Sequence, residues 1–63
     1  MNRTEALKAM LEGKEVRPLI YIGRTITRCW YDEFAVMPFR IEYEPGEIED
    51  LEWNFYYCDW KII

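Results

Sequence analysis

The sequence predicts a small α+β domain in which one N-terminal helix packs on an antiparallel sheet of four or five strands. Three observations favour this fold class. A capped amphipathic segment opens the chain, the segments after it are rich in β-branched and aromatic residues, and turn-forming pairs separate those segments. With 63 residues, the chain fits a single domain over residues 1–63.

The opening segment is predicted to form a helix over about residues 4–12. Asn2 and Glu5 have the spacing of a capping box, with Thr4 as the alternative cap. The apolar residues that follow recur at helical spacing and form one stripe: Ala6, Leu7, Met10 and Leu11. Gly13 then suits the left-handed position just after the last turn. Because a helix this short is not stable alone in water, its stripe must pack on the rest of the chain.

Strand-forming residues follow the helix in two segments. The first predicted strand lies around residues 16–22, where Pro18 has no amide hydrogen to donate and therefore belongs at an edge or a bend. A Gly-Arg turn at residues 23–24 precedes a second strand over residues 25–31, whose side chains alternate between two faces.

The middle of the chain has a second pair of turn and strand signals. An Asp-Glu turn at residues 32–33 precedes a strand predicted over residues 34–43, with a bulge or edge position at Pro38. The Glu-Pro-Gly-Glu segment at residues 44–47 then has proline and glycine at the positions that a type II turn requires.

The C-terminal segment is ambiguous. Ile48 and Leu51 have the spacing of a short helical turn, whereas the aromatic residues that follow favour a strand. A final strand is predicted over residues 59–63, with Trp60 and Ile62 facing inward.

The core of so short a chain is predicted to be marginal, because a domain of this size buries only about 60% of the surface that its unfolded chain exposes. Disulfides, a metal or a partner usually stabilise such domains. Cys29 and Cys58 are too few for a disulfide framework, and the absence of histidine argues against a zinc site. We therefore expect homo-oligomerisation, with no metal and no cofactor.

Aromatic residues are predicted on both faces of the C-terminal strand: Trp53, Phe55 and Tyr57 on one face, Tyr56 and Trp60 on the other. One helix cannot cover both faces of a sheet, so we expect the second face to meet a partner subunit or a ligand. The alternative is that these amphipathic rings lie half exposed at the surface.

The formal net charge of −4 is divided unequally along the chain. Residues 1–31 carry six basic and three acidic side chains, whereas residues 32–63 carry nine acidic and two basic ones. An acidic chain is not an obvious nucleic-acid binder, since neutralisation of phosphates drives such binding, but it could approach a basic surface.

Acidic residues are concentrated in one stretch: Glu42, Glu44, Glu47, Glu49, Asp50 and Glu52. They fit a nucleic-acid mimic that presents carboxylates to a basic groove. The alternative is a solvated hairpin that keeps a small aromatic-rich protein soluble, as runs of charge usually are.

Three arginines, Arg17, Arg24 and Arg28, lie close in sequence to Trp30 and Tyr31. Arginine beside an aromatic ring can hold a phosphorylated nucleotide through bidentate contacts and stacking. Surface arginines that merely balance the acidic half of the chain are the alternative.

Motifs for catalysis, secretion and membrane insertion are missing from the sequence. It has no histidine base, nucleophile elbow, phosphate loop or Cys-x-x-Cys, so we expect no enzymatic activity. It also has no signal peptide and no long apolar run, which together with two free thiols predicts a cytoplasmic protein without a membrane partner.

The segments EALKAMLEGKEVR and CDWKII resemble parts of a group of short phage and prophage proteins. Members of that group open with a helix of the EAL-x-x-L-x-x-G-K type that leads into a Val-Arg strand, and they end on an Asp-Trp-hydrophobic strand. They include the Thoeris anti-defence sponge proteins and a protein assigned as an anti-CRISPR. The match covers residues 5–17 and 58–63, while residues 18–23 replace a Gly-Trp-Asn-Gly-Lys-Gly-like segment of the sponge members.

This resemblance implies a small helix-plus-sheet unit that oligomerises and acts without catalysis. In the sponge members, pockets between subunits sequester the cyclic nucleotide signal of a bacterial immune system. We therefore expect a phage-type protein in the host bacterial cytoplasm that counters a defence system by stoichiometric binding of a signal nucleotide or a defence protein, without direct contact to nucleic acid. A small accessory or structural phage protein with no ligand is the alternative.

Each form of this hypothesis uses a different set of residues. A nucleotide would contact Arg17, Arg28, Trp30 and Trp60, of which Arg17 and Trp60 lie on motif positions of the family. An anti-CRISPR inhibitor that mimics nucleic acid would bind its target through Glu44, Glu47, Glu49, Asp50 and Glu52.

Overall fold

The computed structural model describes residues 1–52 and 57–63, and it confirms the predicted α+β fold class. One N-terminal helix packs against a five-stranded antiparallel sheet. The elements in chain order are α1 (Arg3–Leu11), β1 (Val16–Pro18), β2 (Arg28–Tyr31), β3 (Phe39–Glu42), β4 (Ile48–Asp50) and β5 (Trp60–Ile62). The strands lie in the order β4-β3-β2-β1-β5, so the last strand pairs with the first.

The ends of α1 are fixed by the signals that the sequence contains. Asn2 is the N-cap, and its side chain accepts a hydrogen bond from the Glu5 amide at 2.8 Å while the Glu5 carboxylate accepts one from the Asn2 amide at 3.0 Å. At the other end Gly13 has φ of +89°, the left-handed conformation that glycine adopts without strain. The Lys14 and Gly13 amides donate to the Ala9 and Met10 carbonyls, which is the Schellman pattern.

The helix covers one face of the sheet, and we call the face on which no described helix packs the open face. Val16, Cys29 and Ile41 are cross-strand neighbours on β1, β2 and β3, and all three are fully buried. On this covered face they join the helix in one core, made of Ala6, Ala9, Met10, Val16, Ile26, Cys29, Ile41, Tyr43, Leu51 and Trp60. Because side chains alternate along a strand, the neighbours of these residues project from the opposite, open face.

The helix buries a slightly different stripe from the predicted one. Ala6 and Met10 are buried as expected, and Ala9 joins them, whereas Leu11 is 55% exposed. Leu11 is the last helical residue, and it lines a groove beside the loop that follows β2 instead of entering the core.

Three predicted strands are shorter in the structure than in the sequence analysis. The first stops at Pro18, after which the chain bends, and the second begins only at Arg28. Residues 34–38 form a loop, so the third strand begins at Phe39 and Pro38 lies outside it. The cause is the same in each case: β-forming residues stand where no neighbouring strand is available to pair with them.

The turn predicted at residues 44–47 occurs in the structure, but the prediction of a helical turn that begins at Ile48 is wrong. Gly46 has φ of +88° and the Glu47 amide donates to the Glu44 carbonyl at 2.9 Å, as in a type II turn. Ile48 then begins β4, which pairs with β3 immediately after this turn, so hairpin formation decides the conformation there.

The inward orientation predicted for the last strand is confirmed, because Trp60 and Ile62 pair with Pro18 and Val16 on the covered face. Only Trp60 is buried, whereas Ile62 on this edge strand is 48% exposed. The strand and the aromatic faces predicted from Trp53, Phe55 and Tyr56 lie outside the described residues.

Candidate functional site

A row of basic side chains crosses the open face of the sheet. Arg17 on β1 is directly opposite Lys61 on β5, and both project from the face that the helix does not cover. Arg28 on β2 belongs to the same face, because its neighbour Cys29 pairs with Val16 in the core. Three positive charges from three adjacent strands therefore share one surface of a protein whose net charge is −4.

Arg28 pairs within this row with two carboxylates. Its Nε donates to Glu42 Oε1 at 2.8 Å and its Nη1 to Glu15 Oε2 at 2.6 Å. Both hydrogen bonds raise the pKa of the Arg28 guanidinium, and the bond to Glu42 has the larger effect. The same contact with Arg28, together with the Gly46 amide, lowers the pKa of Glu42, whose side chain is only 14% exposed.

Trp30 lies under the Arg28 guanidinium. The Cζ atom of Arg28 stands 4.1 Å from the centre of the indole ring, which is within the range of a cation–π interaction. Glu15 and Glu42 accept hydrogen bonds from Nη1 and Nε of this guanidinium, which lies over the ring. The pair forms a stacked platform on the open face, next to the row of Lys61 and Arg17.

The structure brings three of the four predicted ligand residues together and separates the fourth. Arg17, Arg28 and Trp30 share the open face. Trp60 belongs to the covered face and is 1% exposed, packed in the core beneath the helix. Trp60 is therefore a core residue and not a ligand contact, because a side chain buried under α1 cannot meet a ligand on the open face.

Much of the acidic surface is paired with arginines of the same chain. Arg24 bridges Glu47 and Glu49 at 3.3 and 3.2 Å and stacks on the Tyr43 ring at 3.6 Å. Asp50 pairs with Arg40 across β3 and β4. Among the described residues Glu44 and Glu52 make no ion pair, so two of the five predicted partner-binding acids keep uncompensated charges.

Two exposed apolar loops form a feature that the sequence analysis did not identify as a site. We call residues 32–38 the Phe34 loop and residues 19–24 the Tyr21 loop. Phe34 and Val36 are 91% and 98% exposed, and Tyr21 is 76% exposed. Most of these residues are strand formers, and in a strand every second side chain would have faced the core.

Each loop borders a shallow groove. The groove at the Phe34 loop has a volume of about 420 Å³, and its lining includes Met10, Leu11, Tyr31, Asp32, Glu33 and Phe34. The groove at the Tyr21 loop has a volume of about 210 Å³ and is lined by Arg17, Pro18, Leu19, Ile20, Tyr21, Thr25 and Ile26.

Neither cysteine is placed for chemistry. Cys29 is fully buried, and burial raises the pKa of its thiol to about 12. Burial also raises the pKa of the Cys58 thiol. In the part of the chain that the structure describes, no group of three or more acidic or cysteine side chains is placed to hold a metal ion, and no helix is long and apolar enough to cross a membrane.

Comparisons of the chain with protein-family models, with curated proteins and with solved structures gave no match. The resemblance to phage proteins therefore depends on residues 5–17 and 58–63 alone.

Proposed function

We propose that this chain is a non-enzymatic, phage-type binding protein that counters a bacterial defence system by holding a phosphorylated signal nucleotide on the open face of its sheet. The observation that carries the proposal is the row of Lys61, Arg17 and Arg28 beside Trp30. Arginine and lysine supply the charge and hydrogen-bond donors that phosphates require.

The basic row and the stacked platform suit different parts of a nucleotide. Arg17 and Lys61 make no ion pair among the described residues, so their charges are available for phosphate oxygens. Arg28 is already held by two carboxylates, and its guanidinium plane over Trp30 offers a surface on which a base can stack. Phosphate and base would therefore be bound by adjacent but separate groups.

The chemistry of this face favours binding over catalysis. The described part of the open face carries charged groups, one indole ring and Ile48, without a cysteine or hydroxyl nucleophile beside a base. Stoichiometric sequestration needs only affinity, and it agrees with the family that the two terminal segments resemble. The host bacterial cytoplasm is the compartment in which such a signal occurs.

The acidic-mimic alternative, in which the protein binds a defence protein, has less support from the described contacts. A mimic needs carboxylates that are free to meet a basic groove, whereas Glu47, Glu49 and Asp50 face arginines of the same chain. These are exposed pairs of modest strength, so a strongly basic partner could still displace the arginines. The proposal includes self-association of the chain, which would cover apolar side chains that a monomer exposes.

Isothermal titration calorimetry tests the proposal directly. The wild-type protein is titrated with cyclic AMP, cyclic di-AMP, cyclic di-GMP and cyclic ADP-ribose, and with pyrophosphate as a ligand that has phosphates but no base. We expect at least one nucleotide to bind more tightly than pyrophosphate, and Arg17→Ala to weaken that binding. Absence of heat with every nucleotide would overturn the proposal. Equal binding of pyrophosphate and nucleotides would leave a phosphate site without the stacking platform.

The matched control for Arg17→Ala is Lys14→Ala. Lys14 is an exposed base just before β1, outside the sheet and outside the basic row. Its removal changes the net charge by the same amount, so a comparable loss of affinity in both variants would indicate a nonspecific charge effect.

A further inference from the structure

The Phe34 loop has a fixed backbone but displays apolar side chains to solvent. The Asp32 side chain accepts a hydrogen bond from the Phe34 amide at 3.0 Å, and the Asp32 amide donates to the Pro38 carbonyl at 2.8 Å. These bonds close the loop at its base, while Phe34 and Val36 point outward almost fully exposed. Large apolar side chains held in this way are typical of interaction surfaces.

The Tyr21 loop presents a second apolar surface at the other end of the sheet. It connects β1 to β2, whereas the Phe34 loop connects β2 to β3, so the two loops leave β2 at opposite ends. The contacts agree with this placement. Arg24 of the Tyr21 loop pairs with Glu47 beside the β3–β4 turn, while Phe34 shares a groove with Leu11 at the end of α1.

The two grooves are complementary in charge. The groove at the Phe34 loop is lined by Asp32 and Glu33 and by no basic residue. The groove at the Tyr21 loop is lined by Arg17 and by no acidic residue. Apolar side chains make up most of the remaining lining of both grooves. The acidic, apolar surface of one copy is therefore complementary to the basic, apolar surface of another.

We propose that copies of this chain associate head to tail, with the Phe34 loop of one copy seated in the Tyr21 groove of the next. Phe34 would enter the apolar groove, and Asp32 and Glu33 would face Arg17. The groove volume of about 210 Å³ exceeds the ~150 Å³ in which a protein cavity holds benzene, so one aromatic ring fits. Arg17 beside the ring adds a cation–π contact to the ion pairs.

This contact is heterologous, because the two surfaces that meet are different. Repeating it builds a ring if the rotation closes and a filament if it does not, whereas a contact between identical surfaces stops at a dimer. This contact specifies which surfaces mediate the self-association that is part of the proposed function, and it does not require nucleotide binding. Arg17 serves both sites, so bound nucleotide should weaken the association.

A mixing experiment separates this arrangement from every symmetric one. Phe34→Asp inactivates the first surface and Tyr21→Asp the second, and each variant keeps one intact surface. Sedimentation velocity is measured for the wild type, for each variant alone and for their equimolar mixture. We expect the wild type to form species larger than a dimer at high concentration, each variant alone to be monomeric, and the mixture to form a heterodimer that stops at two copies.

Two results would overturn the inference. One is a wild type that stays monomeric up to its limit of solubility. The other is a mixture that remains monomeric although the wild type associates, which would indicate a contact between identical surfaces or a different surface.

Folding and surface charge are controlled within the same experiment. Phe34 and Tyr21 are highly exposed, so both variants should keep the wild-type circular dichroism spectrum and melting temperature. Ile62→Asp makes the same change in charge on β5, outside both grooves, and should associate like the wild type. Both variants keep Arg17, Arg28 and Trp30, so calorimetry on them tests nucleotide binding separately. If no protein of the series binds a nucleotide, the proposed function is overturned but the head-to-tail contact is not.

Discussion

Arg17 stands directly opposite Lys61 on neighbouring antiparallel strands, with both side chains on the open face of the sheet. Neither residue makes an ion pair among the described residues. Like charges in directly opposed positions destabilise a sheet. The fold therefore retains an unfavourable pair of charges, and an anion bound between them would replace this repulsion with two attractive contacts.

Lys61→Glu should stabilise the protein and weaken its binding of phosphorylated ligands. The new carboxylate would pair with Arg17, and cross-strand pairs of this kind contribute about 0.2–1 kcal/mol. Urea unfolding should show a higher midpoint with an unchanged m-value, while calorimetry with the best nucleotide should show at least a tenfold loss of affinity. A variant that is more stable but binds normally would place the ligand away from this pair.

Acid should remove the stabilisation contributed by the Arg28–Glu42 contact. The pKa of Glu42 is lowered in the folded state, so its charged form contributes stability at pH values above the unfolded pKa of about 4.3. That contribution is lost as the pH falls through the folded pKa. We expect the difference in unfolding free energy between the wild type and Glu42→Gln to be constant near neutral pH and to shrink below about pH 4.3.

Urea titrations at a series of pH values measure this difference. Glu44→Gln is the control, because Glu44 is exposed and makes no ion pair among the described residues. A difference between the wild type and Glu42→Gln that does not change with pH would contradict the lowered pKa of Glu42 in the folded state.

The sequence predicts the fold class well because the signals behind it are local. The capping box at Asn2, the left-handed Gly13 and the type II turn at Gly46 each depend on residues within a few positions, and all three occur in the structure. Strand limits depend on which segments pair. Ile48 has helical spacing with Leu51, yet it forms a strand because the turn before it aligns it with Glu42.

The candidate site was predictable only in part for a similar reason. Arg28 and Trp30 are two residues apart on one strand, so their common face follows from the sequence alone. Lys61 lies beside Arg17 only because the last strand pairs with the first. These residues are 44 positions apart, so no local sequence pattern predicts the contact. The exposed Phe34 loop was predicted as strand because phenylalanine and valine are strand formers, and no local pattern shows whether a neighbouring strand is present to pair with them.

The thiol of Cys29 should be unreactive until the protein unfolds. Cys29 is fully buried and burial raises its pKa to about 12, so almost no thiolate exists near neutral pH. In a Cys58→Ala variant, labelling with a disulfide reagent at pH 8 should be far slower than labelling of free cysteine and should accelerate as urea approaches the unfolding midpoint. Labelling as fast as that of free cysteine, in the absence of denaturant, would contradict the position of Cys29 between the sheet and the helix.

The two tryptophans on opposite faces of the sheet should have opposite phenotypes. Trp60 is buried in the core, so Trp60→Phe should lower the free energy of unfolding by about 1–3 kcal/mol and leave the nucleotide affinity of the folded protein unchanged. Trp30 is half-buried on the open face under Arg28, so Trp30→Thr should cost less stability but remove the stacking platform. Stacking of a base contributes about 1–3 kcal/mol, which corresponds to a loss of affinity of about 5-fold to 150-fold.

Both variants keep the net charge and the full basic row, so they are matched controls for each other. Urea unfolding gives the stability of each, and calorimetry at a temperature where both are folded gives the affinity. A Trp60→Phe protein that is folded but binds nucleotide poorly would indicate that Trp60 contacts the ligand. The core would then have to open during binding, because a ring that is 1% exposed cannot otherwise reach a ligand.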